Sequence, residues 1–152
     1  MIADIIAEDR EGRPVLLVEV KTGPITEDRL RWFLDDLAEA PETITFGMLV
    51  DPGLIRLYRR GNPTPIREFD AIEVLRHYSP DYAGEATRSG HKRILELHIR
   101  TLIGAWLRDL AYRWKETGQP PMMEELEEVG LLDSLKDGTT TDEVAIDGHS
   151  LR

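Results

Sequence analysis

Residues 15–23 constrain this chain more than any other stretch. They read Val-Leu-Leu-Val-Glu-Val-Lys-Thr-Gly, an apolar, β-branched run interrupted by Glu19 and Lys21. Such a run, closed by Gly23 and Pro24, predicts a strand. Strand side chains alternate between faces. Val18 and Val20 therefore share one face, and Glu19 and Lys21 share the other. Unpaired charge is costly to bury, so an acid and a base two positions apart in an apolar strand need partners or water.

The residues just before supply a candidate partner. Residues 2–8 alternate weakly and are rich in isoleucine, which predicts a strand with Asp4 on the face of Ile2 and Ile6. Residues 9–13, Asp-Arg-Glu-Gly-Arg, read as a polar turn. Pro14 then opens the next strand, where its missing N–H is tolerated. Paired positions in an antiparallel hairpin have a constant sum. A loop centred between Glu11 and Gly12 gives 23, which sets Asp4 directly opposite Glu19. Direct neighbours lie about 5 Å apart at Cβ, so two carboxylates converge with Lys21 beside them.

Further along, Thr26 is a helix N-cap followed by Glu27 and Asp28, whose charge suits the helix dipole. Leu30, Phe33, Leu34 and Leu37 recur at helical spacing to about Glu39. Residues 44–50 predict a third strand and residues 54–60 a fourth, joined by the Asp51-Pro52-Gly53 turn. Residues 61–65 form a Pro-rich loop, residues 70–77 a short helix, and residues 79–90 a mobile loop. Residues 92–115 predict one long helix. Its stripe of Leu95, Ile99, Leu102, Trp106 and Leu110 is widened by Ile94, Leu97, Ile103, Leu107 and Trp114. A surface that broad implies a central helix or one shared with a partner. Acidic helical turns follow over 122–135, residues 143–146 read as an edge strand, and the last six residues as loose.

The whole is expected to be a single α/β (α+β) domain over 1–152. Its core covers about 1–78, a helical extension about 91–135, and a loose acidic tail about 136–152. There is no cysteine, hence no disulfide and no thiolate site, which fits a reducing cytosol. No secretory signal or membrane-spanning run is expected, so the location expected is cytoplasmic. The formal net charge of −10 argues against coating nucleic acid by bulk electrostatics. Residues 56–100, however, hold 9 bases against 6 acids, so an anionic partner would meet the middle of the chain.

Asp4 on one strand and Glu19-Val20-Lys21 on its hairpin partner resemble the signature of the PD-(D/E)XK nuclease superfamily. Ala3 stands where many members have proline. The following helix and strand match the family order. Phe46-Gly47-Met48-Leu49-Val50-Asp51-Pro52 before Ile55-Arg56-Leu57-Tyr58 is similar to restriction-subunit-like members. The resemblance covers roughly residues 1–78. It implies a restriction-endonuclease-like fold, a central mixed sheet with an antiparallel hairpin flanked by helices, here with a long C-terminal helix added. It also implies a core helix ahead of the Asp strand. The expectation is that the long helix or a second subunit fills that place.

The activity implied is metal-dependent phosphodiester hydrolysis, with DNA as substrate and Mg²⁺ or Mn²⁺ as cofactor. Asp4 and Glu19 are the expected ligands, joined by the Val20 carbonyl on the strength of the resemblance. Oxygen ligands with retained waters suit Mg²⁺. Lys21 would orient or help deprotonate the attacking water, or stabilise the transition state; two nearby carboxylates favour its charged form. The pattern alone equally accommodates two solvated acids on an exposed face, salted by Lys21. An alternative function is a catalytically inactive nuclease-fold module for protein interaction, forming a homo-oligomer or partner complex through the long helix.

Arg56, Arg59, Arg60, Lys92 and Arg93 are candidate phosphate contacts. Edge-strand charge that blocks aggregation explains the first three as well, and a solvated helix end explains the last two. His77, His91, His98 and His149 lack a zinc spacing, and His98 reads as a packed histidine.

Overall fold

The computed structural model describes residues 2–87 and 91–145. It is a mixed α/β fold. A six-stranded mixed sheet, ordered β5-β4-β3-β2-β1-β6, carries helices on its faces. β1 (Ile2–Glu8) and β2 (Pro14–Val20) form the expected antiparallel hairpin. The Asp9 carboxylate closes its turn by accepting from the N–H groups of Glu11 (2.9 Å) and Arg13 (3.0 Å). Every residue of β2 is buried, which is why its sequence reads as a nearly continuous apolar run.

α1 (Glu27–Glu39) carries the chain from β2 to β3 (Phe46–Val50), which pairs parallel with β2. A parallel pair needs such a crossover. Thr26 caps the helix, its Oγ1 accepting from Arg29 N at 3.2 Å. Gly47 permits close helix–sheet packing. A Cβ there would lie 2.8 Å from Leu37 Cδ2 and 2.9 Å from Phe33 Cζ. The helix, with Ile6, Leu17, Leu49 and Tyr58 beneath it, builds the smaller of two cores.

β4 (Leu54–Arg59) returns antiparallel to β3 through an Asx turn, Asp51 Oδ1 accepting from Gly53 N and Leu54 N, both at 2.8 Å. β5 (Arg67–Asp70) then adds an edge strand that the sequence reading did not anticipate. Its only apolar side chain is Phe69, so it offers no alternation to read. α2 (Ala71–Leu75) follows, capped by Asp70.

The stretch expected as a mobile loop contains α3 (Tyr82–Thr87). Tyr82 is wholly buried and its hydroxyl donates to the Pro52 carbonyl at 2.8 Å. One inward aromatic thus anchors a segment whose composition looks loop-like. Residues 88–90 of that expected loop lie outside the described residues.

α4 (Lys92–Arg108) covers the other face of the sheet. Ile99, Ile103, Trp106 and Leu107 pack with Val18, Val20, Met48 and Leu57 in the larger core. The expected single helix is not continuous. A π-turn (Asp109–Arg113) separates α4 from α5 (Trp114–Thr117). Asp109 at this turn accepts from the Tyr78 hydroxyl at 2.8 Å, and burial with that acid pushes the Tyr78 phenol up.

α6 (Met123–Glu128) and α7 (Leu131–Leu135) are the expected acidic turns. The tail expected to be loose from residue 136 instead forms β6 (Thr139–Ala145), an edge strand antiparallel to β1 that begins earlier than its composition suggested. Its polar threonines fit a half-solvated edge. Ile146 and the expected loose end, residues 147–152, lie outside the described residues. No helix among the described residues is long and apolar enough to cross a membrane.

Candidate functional site

The hairpin register is the one the loop implied. Ile5 pairs with Val18, Ile6 with Leu17 and Ala7 with Leu16, each summing to 23. The register shifts only next to the turn, between Ala7 and Glu8. One further step at the same sum sets Asp4 opposite Glu19. The strands do not pair regularly at this level. Val20 N donates to Asp4 Oδ2 at 2.6 Å, so a side chain takes the place of a carbonyl.

The two carboxylates have very different surroundings. Asp4 has both oxygens engaged, since Arg100 Nη2 on α4 lies 2.9 Å from Oδ1. Glu19 is only 6% exposed, and its Oε1 has no hydrogen-bond partner. Its other oxygen lies 3.5 Å from Lys21 Nζ. Burial, reinforced by the Asp4 charge and opposed by Lys21, pushes the Glu19 carboxyl up to about 7. A buried acid with one bare oxygen is an energetic cost and a common mark of functional sites.

A cleft of about 680 Å³ opens here between α1 and the N-terminal half of α4. Glu19, Lys21, Arg29, Trp32, Lys92 and Glu96 are among its lining residues. Glu96 Oε2 is 3.7 Å from Arg100 Nη2 and also pairs with Arg93. The long helix therefore does bring charged groups to the Asp strand.

The structure brings together Asp4, Glu19 and Lys21, with Val20 as the last residue of β2 between them. Lys92 lines the cleft with Glu19 and Lys21, and Arg93 pairs with Glu96, which lines it too. The β4 arginines have other duties. Arg56 faces Glu68 at 3.8 Å. The register runs Glu19↔Leu49↔Arg56, which leaves Arg56 two strands from the acid. Arg59 lies 5.0 Å over the Phe46 ring and donates to the Val129 carbonyl at 2.8 Å. Arg60 donates to four carbonyls, those of Ala38, Ala40, Pro41 and Ile44, at 2.6–3.1 Å. It ties the end of α1 to the entry of β3. His98 Nε2 lies 2.9 Å from Glu85.

The sequence reading missed Arg100, Glu96, Arg29, Trp32 and Asp36. A signal for Arg100 was available: it precedes Ile103 and Leu107 at helical spacing, on a stripe that is buried. A cation on such a stripe needs an acid. Trp32 was visible as an aromatic off the Leu30, Phe33, Leu34 and Leu37 stripe.

The donor set suits a hard divalent cation in part. The unpartnered Glu19 oxygen and the adjacent Asp4 are oxygen ligands of the right kind. No cluster of three or more potential metal-ligating side chains occurs among the described residues, and the Asp4–Arg100 pair competes for one ligand. Comparison with protein-family models, curated proteins and solved structures gives no match for this chain.

Proposed function

We propose that this chain is a metal-dependent phosphodiester hydrolase with a restriction-endonuclease-like core, acting on DNA. One observation carries the reading. The buried Glu19 carboxyl keeps one oxygen unpartnered beside Asp4 and Lys21. Asp4, Glu19 and the Val20 carbonyl would hold Mg²⁺ or Mn²⁺, a cation that supplies charge stabilisation at phosphorus and lowers the pKa of water. Mg²⁺ sites commonly use only one or two carboxylates and complete their shell with water. Lys21 would orient the attacking water or stabilise charge developing on the phosphate. Arg100 balances Asp4, so cation uptake competes with that ion pair. α4 packs beside β1 and β2, where the resemblance implies a core helix.

The test is incubation of supercoiled, linear and single-stranded DNA with Mg²⁺ or Mn²⁺. Cleavage is expected, with a loss of about 100-fold or more in Lys21→Ala while its unfolding temperature stays close to wild type. No cleavage of any form by the wild type would end the hydrolase reading.

The second reading is an inactive scaffold for protein interaction, and the full engagement of Asp4 favours it. Ile94 and Leu97 on α4 are exposed and would meet a second copy or a partner. It predicts no cleavage and a size in solution that grows with concentration, reversed by Ile94→Glu.

A further inference from the structure

The cleft holds cations that its acids do not use. Lys21 is engaged with Glu19. Arg29 and Lys92 line the same cleft and make no ion pair among the described residues. Gly23 leaves room for the arginine, since a Cβ there would stand 3.3 Å from Arg29 Nη1.

Trp32 lines the same cleft as these two cations and the acids. It follows Arg29 by three residues on α1 and therefore shares its face. Phe33, the next residue, is buried, yet Trp32 is 61% exposed. Among the described residues the other exposed large apolar side chains are Ile94, Leu97 and Tyr112, and none of these lines the cleft. An exposed indole in one cleft with two cations that make no ion pair among the described residues is suited to a ligand that is flat on one part and anionic on another.

We propose that Trp32 is a stacking platform for an unpaired base, with Arg29 and Lys92 taking the adjoining phosphates. The substrate class is then single-stranded nucleic acid, or the frayed end of a duplex, and not continuous duplex. Bases within a duplex already have both faces stacked and must be extruded to meet a ring, whereas a single strand offers its faces freely. This deepens the hydrolase reading and rests on it.

Charge couples the strand to a cation. The cleft lining includes Glu19, Asp36 and Glu96 against Lys21, Arg29 and Lys92, a balanced set. One divalent ion turns the balance positive, so strand and ion favour each other's binding. The remainder of an acidic chain repels phosphate and confines affinity to the cleft.

The experiment is fluorescence anisotropy with a labelled 12-nucleotide thymidine strand and a duplex of equal length, with Ca²⁺ as the divalent ion. Wild type is expected to bind the single strand about tenfold more tightly than the duplex. Trp32→Ala should lose about tenfold in single-strand affinity, and Trp32→Phe should retain most of it. Thermal unfolding of both variants should match wild type, because the ring is exposed. Equal strand binding by wild type and Trp32→Ala, preference for duplex, or no strand binding by wild type would each overturn the proposal. Trp32-dependent strand binding without cleavage in Mg²⁺ or Mn²⁺ would sink the hydrolase reading and leave the stacking site standing. Cleavage that is unchanged in Trp32→Ala would do the reverse.

Discussion

Two charged regions of this molecule sit only a few strands apart and are built in opposite ways. Just past β4, Arg60 spends its guanidinium on four carbonyls at the end of α1 and in the loop that follows it. At the end of β2, Glu19 is buried with one oxygen bare, beside a second carboxylate. The first region is satisfied and gives the fold its rigidity. The second carries an electrostatic cost that the fold does not need. Where a chain keeps such a cost, binding is the most economical reason for it.

The comparison can be broken first at Arg60. Arg60→Ala should lower stability by about 2 to 3 kcal/mol, since three partly buried carbonyls lose a charged donor, read as a lower midpoint in urea. Activity per folded molecule should be unchanged, because this arginine holds the frame and lies outside the cleft.

The next effect has the opposite sign. The Glu19 carboxyl titrates near 7 in the folded chain against about 4.5 otherwise. A raised carboxyl makes the folded state hold its proton longer than the unfolded state. Stability from this group is thus complete below about pH 4.5 and is lost as pH rises through about 7. The loss is on the order of 3 kcal/mol. Glu19→Gln removes the titration. It should be more stable than wild type at pH 8 and no different at pH 4, measured by urea unfolding at both values. A pH-independent difference would show that Glu19 does not titrate in the way its surroundings imply.

The smallest effect on stability belongs to Lys21. Its partly exposed pair with Glu19 should cost under about 1 kcal/mol to remove, although the proposed cleavage would depend on it.

Much of this was legible in the chain. The hairpin and its register followed from a loop of fixed length and two apolar runs, because a slip of one residue turns every side chain to the other face. Thr26 and the stripe ending at Leu37 marked α1. What stayed hidden depended on long-range partners. Four residues of β5 with a single phenylalanine carry no periodicity. Tyr82 anchors α3 only because the Pro52 carbonyl meets its hydroxyl. The π-turn at Asp109–Arg113 has no local signature, and β6 exists because β1 offers it an edge. In the site, Asp4, Glu19 and Lys21 were readable from spacing. The Arg100 that holds Asp4 comes from 96 positions further along, and only the fold brings it there.

The central claim is that Asp4 and Glu19 form a cation site. Calorimetric titration of the intact chain with Mn²⁺ at pH 6 and pH 8 tests it most directly. The account predicts one saturable site that is tighter at pH 8, releases close to one proton at pH 6 as the ion displaces it from Glu19, and is lost in both Asp4→Asn and Glu19→Gln. No saturable heat at either pH, or binding that survives both substitutions, would contradict it.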